Sequence, residues 1–110
     1  MAREFERWLR LLHSRDPGTS DDGYFAISRH ARELVDDLLA EYDRERGPAR
    51  LSLLMLLGDA RSPKAFDVLA AELTSEDETM RRWARHGLEA LDTKEARTLL
   101  WRDRQNNPPG

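Results

Sequence analysis

Cysteine is absent from the 110 residues. That excludes a disulfide framework, a thiol nucleophile and any zinc site built on thiolates. Lysine is scarce: 2 of the 18 cations are Lys and 16 are Arg. Such a bias is the mark of a GC-rich genome, and a bacterial source is expected. Long hydrophobic runs are missing as well. The longest, Leu51 to Leu57, is seven residues interrupted by Ser52, against about 20 for a membrane span. Residues 1–6 carry charge and then amphipathic spacing, without the apolar stretch of a signal peptide. A cytoplasmic protein with no membrane partner is expected. There is no Gly-rich phosphate loop, no Gly-x-Ser-x-Gly and no ordered Ser/His/Asp set. No pattern marks a carboxylate with a raised pKa in a cleft. No catalytic residue, metal or cofactor is therefore expected.

What the chain has is leucine and charge. Its 43 apolar residues include 17 Leu, and they stand beside 39 charged ones. The length suits one domain with one core, and the leucine content separates it from a disordered polyampholyte. A net charge of −3 is not the strongly basic footprint of a general nucleic-acid binder.

Apolar spacing is helical nearly throughout. Phe5, Trp8, Leu9 and Leu12 predict a helix over about 3–14. Asp16 to Gly23, with Pro, two Gly and three Asp, reads as a solvated loop. Tyr24, Ile27, Ala31, Leu34, Val35, Leu38 and Tyr42 predict a long helix over about 24–46, with Gly47 as its left-handed terminator. The run 48–58 is apolar on all sides and belongs at the centre of the core, ending at Gly58-Asp59. Ser62-Pro63 is an N-cap with Pro in the first turn and opens a helix over about 63–73. Ser75 and Glu78 form a capping box for a helix over about 76–91. Thr93 caps the last helix, about 94–104, and 105–110 is a frayed tail. The expectation is an all-α fold of six helices, one domain over 1–104.

The second half looks like the first half shifted. Met55-Leu56-Leu57-Gly58-Asp59 precedes Leu88-Glu89-Ala90-Leu91-Asp92 by 33 residues, and Ala65 and Leu69 precede Ala96 and Leu100 by 31. A period near 31–33 with two helices per unit is the signature of a helical repeat. At Leu56 to Ala65, Asp77 to Ala84 and Leu88 to Asp92 the chain resembles HEAT-repeat proteins, in particular the short HEAT-like repeats of phycobilisome-lyase-type and related bacterial proteins. The resemblance covers about residues 48–100. It departs from the family pattern at Met80, at Trp83 and at Leu91-Asp92, which lacks a Gly. It implies an α-solenoid of three antiparallel helix pairs, in which the second helix of each pair lines the binding face.

On the 76–91 helix, Arg81, Arg82, Arg85 and His86 fall opposite the apolar stripe. They are the expected partner-binding residues, with Arg50 beside them. The same groups also have a structural use: Arg81 bridged to Asp59, and Arg82 and Arg85 paired with Glu78 and Glu89. An alternative face is acidic, Glu33, Asp36, Asp37 and Glu41 on the 24–46 helix; residues 16–47 carry a net −5. The histidines His13, His30 and His86 have no metal-pair spacing, and a solvated state is expected. Asp16, Asp21 and Asp22 do not match a calcium loop. Trp83 is expected in the core, and Trp8 and Trp101 as covers over the core's ends, with exposed partner anchors as the alternative.

These residues point to a non-catalytic protein–protein interaction module, a small scaffold or adaptor, monomeric or weakly dimeric. Two other classes remain open: a nucleic-acid-associated HEAT-like protein using the Arg face, and a bacterial immunity-type inhibitor using the acidic helix.

Overall fold

Buried residues recur at spacings of three and four along the chain, and each such run folds as a helix. The computed structural model describes residues 2–106. Among these it contains seven α-helices and no strand: α1 (Ala2–Leu12), α2 (Pro17–Ser28), α3 (Val35–Arg44), α4 (Ala49–Asp59), α5 (Phe66–Glu72), α6 (Glu78–Leu91) and α7 (Lys94–Asn106). A 3-10 turn, Pro63–Ala65, leads into α5.

The expected loop at 16–23 is instead the start of α2. Asp16 is an N-cap whose carboxylate accepts from the Thr19 backbone N–H at 3.0 Å and from Thr19 Oγ1 at 2.7 Å. Pro17 occupies the first turn, where its missing N–H leaves nothing unpaired. Ser20 Oγ donates to the Leu12 carbonyl at 2.9 Å, tying α2 to α1. Gly23 is buried, and a Cβ there would lie 2.6 Å from Leu12 N and 2.7 Å from Trp8 O. The glycine that reads as a helix breaker is the point where two helix backbones meet.

The expected helix over 24–46 is two helices joined by a turn at 29–34. His30 N–H bonds to Ile27 O and Ala31 N–H to Ser28 O. These three-residue closures tighten the end of α2 and redirect the chain. No Gly or Pro marks the break, and Ile27, Ala31, Leu34, Val35 and Leu38 are all buried across it. The apolar spacing therefore continues through a bend it does not reveal, and the helix count is seven rather than six. Gly47 is not the terminator: α3 stops at Arg44, with Glu45 extended.

Other helix ends follow the sequence more closely. Ser62 Oγ accepts from Lys64 N–H, and Thr93 Oγ1 from Ala96 N–H. The capping box is replaced by a neighbouring device, in which Asp77 accepts from Thr79 N–H at 2.9 Å and Ser75 Oγ accepts from Asp77 N–H. Helix α7 runs past 104 to Asn106; residues 107–110 of the expected tail lie outside the described residues. Helix α4 is enclosed as its composition demands, with Leu53, Leu54, Leu56 and Leu57 fully buried. It ends at Asp59, where Gly58-Asp59 places the end, and the reversal comes two residues on at Arg61, whose φ is 47°.

Helix α2 packs on α4, and α4 packs on α6; away from that row, α3 meets the 3-10 turn and α5 meets α7. Helix α1 packs mainly on α2. The molecule is elongated, 42 × 25 × 21 Å. Two turns share one construction. Arg61 and Asp92 both adopt positive φ, each is followed by a capping Ser62 or Thr93, and Ala65 and Ala96 are buried behind them. Equivalent residues are 31 apart, and so are the fully buried Leu57 and Leu88. The offset of 33 at Met55–Asp59 does not correspond to the helix ends.

Candidate functional site

The side chains that sequence places on one face of α6 have different partners. Arg81 is half-buried, and its Nη1 donates to the Ser75 carbonyl at 2.6 Å. It thereby holds the chain entering α6, and it does not bridge Asp59. Arg85 leans toward α7 and pairs with Asp103 at 3.4 Å, rather than with Glu89. Arg82 is exposed and reaches Glu78 only at 4.0 Å, an i,i+4 contact of the weak surface kind. His86 is exposed and sits edge-on to Trp83, ring centroids 5.4 Å apart. Arg50 lies elsewhere, on the first turn of α4. Its Nη1 donates to the carbonyls of Tyr42 at 2.7 Å and Glu45 at 2.8 Å. Those acceptors are among the unpaired carbonyls at the end of α3, so Arg50 does the work expected of Gly47.

His86 lines a groove that crosses the ends of three helices. Ser28 from α2, Gly58 and Asp59 from α4, and His86 and Ala90 from α6 form it, with Arg61 in the turn beyond α4; its volume is about 410 Å³. Asp59 is the polar centre. Its Oδ2 accepts from Tyr24 OH at 2.9 Å and from Ser28 Oγ at 3.3 Å. Burial first, and then the carboxylate it donates to, push the Tyr24 phenol well above the usual tyrosine range. Tyr24 is thus a neutral donor that fixes Asp59. Arg61 stands beside it in the left-handed region, a conformation costly for a residue with a Cβ, and Arg32 donates to its carbonyl at 3.4 Å. Sequence reasoning had no signal for this groove, because 24, 28 and 59 meet only through the packing of α2 on α4.

The acidic set is dispersed. Glu33 lies in the turn between α2 and α3, not on a helix face, and approaches His30 at 3.7 Å. On α3, Asp36 is bridged to Lys64 at 3.1 Å and Glu41 pairs with Arg44. Asp37 is exposed.

Among the tryptophans, Trp83 and Trp8 are partly buried against the core, and Trp8 stacks on His30 at 5.4 Å with the rings 9° from parallel. His30 is thus half-buried, not simply solvated. Trp101 is not among the side chains packed on the core: it is 58% exposed, and Phe25 on α2 is 59% exposed. Groups of three or more His, Asp or Glu placed to hold a metal ion are absent among the described residues. No described helix is long and apolar enough to cross a membrane.

One further cluster was not legible in the sequence. Tyr42, Arg50 and Glu72 come together from α3, α4 and α5, with the Arg50 guanidinium carbon 3.9 Å from the centre of the Tyr42 ring and Arg50 Nη2 3.9 Å from Glu72 Oε1. Their sequence separation hides the meeting. Comparison with family models, with curated proteins and with solved structures gives no match.

Proposed function

We propose that the chain is a non-catalytic protein-binding module, built from HEAT-like helix pairs as a short α-solenoid, which docks a partner protein on the outward face of α6. The observation that carries this is the placement of Arg82 and His86. Both are exposed on α6, and His86 continues that surface into the groove with Asp59 and Arg61. Arg82 keeps most of its donors free for a carboxylate on the partner. Arg85 can rejoin it by exchanging Asp103 for a partner acid, and Phe25 offers an exposed aromatic anchor. Arg50 and Arg81 serve this face indirectly, by holding the chain at the ends of α3 and α6. The solenoid reading is supported by the row α2–α4–α6 and by the turn repeated at 31 residues. A bacterial, cytoplasmic setting fits the arginine bias and the lack of cysteine.

The test is site-specific photocrosslinking in the native host, with the crosslinker at Arg82 or His86 and, as reference, at Asp37 on α3. A discrete protein adduct from α6, absent from α3 and lost in an R85E background, is the expected result. Adducts formed equally from α3, or unaffected by R85E, overturn the α6 face. Crosslinking to nucleic acid in place of protein, with binding that falls steeply with salt, overturns the protein-binding reading.

A further inference from the structure

Trp101 stands exposed on α7 among cations. The helix buries Ala96 and Leu100 and turns Lys94, Arg97, Trp101, Arg102 and Arg104 outward, all exposed, against one exposed acid, Glu95. Arg97 is held by Asp92. Lys94, Arg102 and Arg104 have no hydrogen bond or ion pair among the described residues. Beside them, α7 and the start of α5 form a groove of about 430 Å³, lined by Phe66, Lys94, Glu95, Thr98, Leu99 and Arg102. Phe66 and Leu99 are partly buried against the core and make its apolar floor. Lys94, Thr98 and Arg102 recur at four-residue steps, so they form one edge about 12 Å long. A second hollow of about 300 Å³ shares Phe66 and Glu95 and extends the floor over Pro63 and Leu91. An apolar trough with a cationic edge is thus left open on the last helix.

We propose that this trough docks an acidic amphipathic helix of a partner protein. The partner's apolar side chains pack on Phe66 and Leu99, and two carboxylates two turns apart meet Lys94 and Arg102. Trp101, three residues from Thr98, extends the contact outward as an aromatic anchor. Glu95, next to Lys94, rejects an acid opposite it and so sets the register. The floor favours protein over nucleic acid, because a phosphate backbone has nothing to place on Phe66 and Leu99. The chain's net charge of −3 also repels a long polyanion, whereas two carboxylates feel mostly the nearby charges of α7. The surface is separate from Arg82 and His86, and Asp103, which holds Arg85, lies on the other side of α7.

The probe is a capped alanine-based helix of about 15 residues, with Glu at i and i+7 and Leu at i+3 and i+4. Titrated into the full chain and followed by amide NMR shifts, it is expected to give a saturable response at Phe66, Thr98 and Leu99. The same peptide with Lys in place of Glu, or with Leu moved to the opposite face, should give none. K94E/R102E changes only exposed side chains and is expected to weaken the acidic peptide about tenfold or more while admitting the lysine peptide. W101A is expected to weaken it about tenfold. No saturable response to the acidic peptide overturns the site. Equal binding of either control peptide, or tighter binding of oligothymidylate at the same residues, overturns the acidic-helix class. Parent-like binding by K94E/R102E or by W101A overturns this surface. None of these outcomes bears on crosslinking from α6.

Discussion

The two ends of the molecule are joined by helix crossings that use glycine differently. At the N-terminal crossing, Gly23 lets α2 touch the backbone of α1, and the atoms a Cβ would strike are Leu12 N and Trp8 O. In the central crossing, Gly58 of α4 faces Gly87 of α6, and a Cβ on Gly58 would lie 3.1 Å from the Gly87 Cα. The atoms a Cβ on Gly87 would meet first belong to the end of the Leu69 side chain, at 2.9 Å. Backbone cannot retreat without moving a helix, whereas a leucine methyl can rotate. The N-terminal crossing is therefore the brittle one, and the central crossing, whose nearest backbone atom lies at 3.1 Å, is tight but more tolerant.

Gly23→Ala puts the largest strain on this contrast. Helix propensity favours Ala by about 1 kcal/mol, yet overlap with backbone on two sides should reverse that to a net loss of about 3 kcal/mol. Urea unfolding measures it, and amide exchange in α1 should rise if α1 lifts away. A neutral Gly23→Ala would mean the two crossings are equivalent. Gly87→Ala should cost less, about 1 kcal/mol, since Leu69 can shift. Combined with Gly58→Ala the loss should exceed the sum of the single changes, because the two Cβ atoms compete for one space.

The helix starts offer a second pairing. Asp16-Pro17 and Ser62-Pro63 are the same device in the two halves of the chain, one charged and one neutral. Ser62→Ala should lose about 1 kcal/mol in thermal unfolding, at any pH, because the hydroxyl does not titrate. The smallest expected effect is at Asp16. Its two bonds from Thr19 hold the carboxyl below the usual 3.8. A pKa lowered by folding means stabilisation that is complete above the ordinary value and lost as pH falls through the folded one. The Thr19 amide should therefore lose exchange protection below pH 3.8 while the Lys64 amide does not, and Asp16→Asn should abolish the difference.

Legibility in the sequence follows the same division. In α4 to α7, apolar spacing and most caps agree: Ser62, Thr93 and the buried leucines of α4 lie where the pattern puts them, and only the α6 cap moves, from Ser75 to Asp77. Upstream, two signals mislead for physical reasons. Asp16 to Gly23 has loop composition, but four of its residues have a helical use: a cap at Asp16, a first-turn proline, a tether at Ser20 and a crossing at Gly23. The bend at 29–34 has no breaker residue, and its apolar periodicity runs on because both sides of the bend face one core. Among the candidate site residues, sequence identified α6 as charged. It did not separate Arg82, which points outward, from Arg81, which is bound to the Ser75 carbonyl, or Arg85, which is drawn to Asp103.

The chain's all-helical character, its core leucines and several of its helix ends follow from sequence alone, because they depend on residues three or four apart. Which arginines stay exposed, how Tyr24 and Ser28 secure Asp59, and how Tyr42, Arg50 and Glu72 come together are decided only by tertiary packing. Those contacts join positions from 6 to 35 residues apart, and local spacing contains no information about which helices become neighbours.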